Sequence, residues 1–98
     1  MKKLTTKQIK ALDKNNSLKK LLEIIKILRD PISGCPWDLK QNFTTLMNYP
    51  IEEAYELQDA IEKNDINNIK EELGDLLLQI VLFSQIGSEE NYFDFEEI

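Results

Sequence analysis

The chain has no histidine and one cysteine, Cys35. Without histidine a Cys–His nucleophile cannot be assembled, so Cys35 reads as a small buried residue. A lone cysteine also excludes an internal disulfide framework and fits a reducing compartment. Long apolar runs are missing as well. The longest, residues 76–78 followed by 80–83, falls far short of the ~20 residues that cross a bilayer, and no charged-then-apolar leader resembles a signal peptide. A cytoplasmic protein with no membrane partner is expected. Glycine and proline number three each, and two prolines and one glycine crowd into residues 31–38, which read as a connector of fixed shape.

Ninety-eight residues bound the chain to one small domain, residues 1–98, that buries only a little over half of its unfolded surface. The net charge of −6 hides an asymmetry: residues 1–29 carry a balance of +7 and residues 30–98 a balance of −13. The acidic remainder argues against a nucleic-acid partner. Residues 1–15 offer Ile9 and Leu12 as anchors of a short helix, but Asp13 and the asparagines after it break the pattern, and poor order is expected. Ser17 then caps a helix whose apolar positions are Leu18, Leu21, Leu22, Ile25 and Leu28, ended by Asp30-Pro31.

Two further helices carry the acids. The first starts near Pro50, runs to about Lys63 and has an apolar strip of Ile51, Ala54, Leu57 and Ile61. The second runs over 66–86, with a buried stripe of Leu73, Leu76, Leu77, Ile80 and Phe83, a close neighbour expected at Gly74 and a stop at Gly87-Ser88. Glu53 with Glu56, and Glu72 with Asp75, each lie three apart on one helical face. Between the pairs, Lys63-Asn64-Asp65 is turn-prone, and Asp65 can cap the helix that follows. Glu56 and Glu72 both stand eight residues from Asn64, and Glu53 and Asp75 both eleven, so a reversal there brings the pairs to matching heights. Acids at helical spacing usually form a solvated face. Here the apolar stripe sets Asp75 beside a core, where ionised groups are normally paired or bound to metal. Four converging carboxylates suit a hard divalent cation, with Mg²⁺ expected and Mn²⁺ the substitute.

The strings Gly34-Cys35-Pro36-Trp37-Asp38, Glu52-Glu53-Ala54-Tyr55-Glu56 and Glu71-Glu72-Leu73-Gly74-Asp75-Leu76-Leu77-Leu78-Gln79 resemble the MazG family of nucleoside triphosphate pyrophosphohydrolases, over roughly residues 18–88. The resemblance implies an all-α homo-oligomer that uses Mg²⁺ to cleave a nucleoside triphosphate to the monophosphate and pyrophosphate. By motif position it implies Glu53, Glu56, Glu72 and Asp75 as metal ligands and Glu52 as the remaining acidic motif residue. Two features depart from the family pattern. Phe43 and Ser84 stand where family members often carry histidines, and the basic C-terminal helix usual in the family is missing, the tail from Phe93 reading as a helix cut off at its start.

The fold expected is an all-α antiparallel helical bundle completed by homo-oligomerisation, as a homodimer or homotetramer, because residues 76–86 present more apolar surface than one chain covers. The metal neutralises phosphate charge and lowers the pKa of a water that attacks phosphorus, while Glu52 is the candidate catalytic residue, accepting the water's proton or acting from a second shell. Trp37, either a packing anchor or a stacking surface for a nucleobase, and Lys40 are the candidate substrate-binding residues. The competing readings are a non-catalytic helical oligomerisation or regulatory module and a narrower relative acting on dUTP or phosphoribosyl-ATP.

Overall fold

A computed structural model describes residues 17–98, and every regular element among them is helical. The expectations for residues 1–15 lie outside the described residues. The chain divides into a unit ending at Gln41 and a second unit from Asn42 to Ile98.

In the first unit, α1 spans Ser17–Leu28, with Ile25 and Leu28 buried. Ser17 is itself the first helical residue, so the cap position falls outside the described residues. The connector after α1 is tied from both sides. Asp30 Oδ1 accepts from the backbone N–H groups of Ile32 and Ser33, both at 2.9 Å, and Cys35 N–H donates back to Leu28 O at 2.9 Å. Only glycine fits at Gly34, where a methyl group would collide with the carbonyl oxygens of Leu28 and Asp30. Pro36 then opens a single helical turn, α2 (Pro36–Leu39), suited to a position whose N–H would have no partner. Buried Arg29 donates to the carbonyl oxygens of Asp38 and Gln41, the latter at 2.9 Å. Cys35 is buried, as its isolation suggests.

The second unit starts with a short helix, α3 (Phe43–Leu46). Its cause is local. The Asn42 side chain accepts from Thr45 N–H at 3.0 Å while Thr45 Oγ1 accepts from Asn42 N–H at 2.8 Å, a reciprocal capping box. The helices α4 (Tyr49–Glu62) and α5 (Ile66–Glu89) follow and pack on each other.

The turn between them is closed by two bonds, Asn64 N–H to Ile61 O at 3.0 Å and Asp65 N–H to Ala60 O at 3.1 Å, with Asn64 in the left-handed region at φ 54°. This is a Schellman ending. Asp65 completes it and at once caps α5, accepting from Asn68 N–H at 3.1 Å. One residue therefore ends one helix and begins the next.

Several faces differ from the sequence expectation. On α4 the buried residues are Glu53 and Ala60, whereas Ile51, Ala54 and Ile61 are exposed. On α5 the buried residues are Val81, Leu82, Ser84, Ile86 and Gly87, and Ile69, Glu72, Leu76, Leu78, Gln79 and Phe83 are half-buried, while Leu73, Leu77 and Ile80 are 51%, 41% and 40% exposed. The N-terminal half of α5 packs along one stripe and leaves Leu73, Leu77 and Ile80 outside it, whereas from Val81 to Gly87 the helix is buried on several sides. Gly74 has open space around it rather than a close neighbour, and Asp75 is exposed rather than set beside a core.

Gly87 does not stop α5. It is buried within the helix, where the Phe93 ring fills the space a methyl group would need. The helix instead ends at a second Schellman turn with Asn91 at φ 60°, closed by Tyr92 N–H to Gly87 O at 2.9 Å and Asn91 N–H to Ser88 O at 3.1 Å. After it the tail forms a 3₁₀ turn, Phe95–Glu97, capped by Asp94. Phe43 lies against Phe83, Tyr92 and Phe93 with ring centroids 6.0–6.4 Å apart, joining α3, α5 and the tail.

Candidate metal centre

The Schellman turn at Asn64 fixes the register of α4 against α5, and that register brings acids together. Glu53, Glu56 and Glu72 each place a carboxylate oxygen such that all three atoms lie within 4.8 Å of one another. Their exposure is graded: Glu53 is 8% exposed, Glu72 half-buried and Glu56 exposed. Asp75, one turn beyond Glu72, is exposed and not part of that close triplet, but its charge reaches both Glu53 and Glu56. Glu52 lies in the first turn of α4, exposed and about 100° around the helix from Glu53. Trp37, 45% exposed, and Lys40, also exposed, belong to the first unit.

Electrostatically the cluster is uncompensated. Burial pushes the Glu53 carboxyl up to about 7, helped by a side-chain contact with Glu72 and by the charges of Glu56, Glu72 and Asp75. Glu56 is also raised, first by its contact with Glu72 and by that residue's charge, with a contact to Glu53 opposing. A hydrogen bond between two carboxyl groups requires a proton on one of them. When both are ionised, Glu53 Oε1 and Glu72 Oε2 are buried acceptors with no donor. Among the described residues no Lys or Arg charge is among the causes acting on either carboxyl.

Buried acceptors of this kind normally find a partner, and a set made only of carboxylate oxygens fits a hard cation such as Mg²⁺ or Mn²⁺. The donor set and the two orphaned oxygens thus suit a divalent ion better than they suit each other.

One polar residue escapes a reading based on acids alone. Gln79 Oε1 is buried without a donor, on the half-buried row of α5 that also holds Glu72. The 72, 76, 79, 83, 86 spacing could have disclosed it, but the neighbouring leucines suggest a different stripe.

Comparison with known proteins places these residues in a wider set. The family model described as the MazG nucleotide pyrophosphohydrolase domain matches residues 41–98. A nucleoside triphosphate pyrophosphohydrolase of Escherichia coli (strain K12) is 48% identical over 83 residues, covering 85% of this chain and 32% of that protein. The Thermotoga maritima protein named nucleoside triphosphate pyrophosphohydrolase/pyrophosphatase MazG is 46% identical over 78 residues, covering 80% and 30%. The uncharacterised protein YabN of Bacillus subtilis (strain 168) is 51% identical over 75 residues, covering 76% and 15%. The chain therefore spans about a third or less of the length of these relatives.

Proposed function

Because this chain belongs to the MazG nucleotide pyrophosphohydrolase domain family, we propose that it hydrolyses a nucleoside triphosphate to the monophosphate and pyrophosphate. Glu53, Glu56, Glu72 and Asp75 hold one or more divalent cations, Mg²⁺ first and Mn²⁺ as substitute. The observation that carries this reading is the convergence of Glu53, Glu56 and Glu72 with two buried carboxylate oxygens left without a donor.

A bound cation would neutralise charge on the phosphate oxygens and make a water more acidic. Glu52 accepts the proton of the attacking water, or steadies that water from a second shell; its place outside the close triplet leaves its carboxylate free for the task. Glu53 is the buried member of the set and Glu56 the exposed one.

Residues 41–98, which the family model matches, act as one helical domain. Exposed Leu73, Leu77 and Ile80 on one flank of α5 support an antiparallel bundle completed by a second copy, as a homodimer or homotetramer. No helix among the described residues is long and apolar enough to cross a membrane. The lone buried cysteine suits the reducing cytoplasm.

The test is a screen of the purified protein with Mg²⁺ against the common NTPs and dNTPs, scoring monophosphate and pyrophosphate together. Equimolar release of both from at least one nucleotide is expected. Intact Mg²⁺ binding without turnover of any nucleotide would replace the enzyme with a non-catalytic module, and turnover of dUTP alone would narrow it to that substrate.

A further inference from the structure

We draw no further inference here: the strongest candidate, the cavity between the end of α5 and the C-terminal 3₁₀ turn, lined by Ser88, Asn91, Tyr92, Phe93, Asp94 and Glu97, is a surface recess whose lining is exposed apart from half-buried Phe93, and none of the buried polar atoms without a partner among the described residues belongs to it to show what it would hold.

Discussion

Glu53 concentrates the electrostatic cost of the hairpin. Its carboxyl is buried and is pushed up to about 7 by that burial and by the neighbouring acids. In the unfolded chain the same group titrates near its ordinary value of ~4.3. Between these values the folded state binds more protons than the unfolded one, so the stability of the metal-free protein is greatest below the lower value and declines as pH rises toward 7. For a shift of this size the decline is at most roughly 4 kcal/mol. In the presence of a chelator the melting temperature should therefore fall between about pH 5 and pH 8, and Glu53→Gln should flatten that slope. A slope unchanged in the variant would place the titration elsewhere. Glu52 calls for a different experiment, because a general base acts mainly in the transition state. Glu52→Gln is expected to lower kcat by ~10²–10⁴-fold while leaving Mg²⁺ affinity nearly intact, whereas Asp75→Asn should damage both. Equal loss of metal in the two variants would make Glu52 a ligand.

At the scale of elements, the turn at residues 63–65 does the positioning. Asn64 holds a left-handed conformation and Asp65 joins the end of α4 to the start of α5. Asn64→Gly should be tolerated, while Asn64→Val forces a branched side chain into that conformation at ~1–2 kcal/mol. Asp65→Ala should cost ~1 kcal/mol through the lost cap and weaken Mg²⁺ binding as the two pairs of acids lose their common register. Thermal melting and calorimetry on the same variants check both effects; destabilisation with undiminished Mg²⁺ affinity would separate the turn from the site. This hairpin was legible from the sequence, because turn chemistry and the helical repeat act over a few residues. Matching heights for Glu56 with Glu72 follow from counting outward from Asn64. Which faces turn inward was not legible. Ile51 and Leu77 are as apolar as any buried residue, and only tertiary packing decides that Glu53 and Ala60 are the buried residues of α4 instead. The continuation of α5 through Gly87 was equally hidden, since it depends on the Phe93 ring packing there from six residues further on.

Across the whole molecule, the exposed row Leu73, Leu77 and Ile80 gives one flank of α5 an apolar surface, and each such side chain is worth roughly 1.5–3 kcal/mol when covered. Light scattering should report a mass at least twice the 11.5 kDa of one chain, and Leu77→Lys should shift it toward the single chain. A wild-type monomer at micromolar concentration would refute self-association through this flank. The acidic centre remains the claim on which the rest depends, and calorimetric titration of Mg²⁺ into the wild type and Glu72→Gln tests it most directly. The wild type should bind in the millimolar range or tighter and rise in melting temperature with added Mg²⁺, and Glu72→Gln should lose both responses. Absence of binding by the wild type, or full affinity retained in Glu72→Gln, would reduce the cluster to a solvated acidic face.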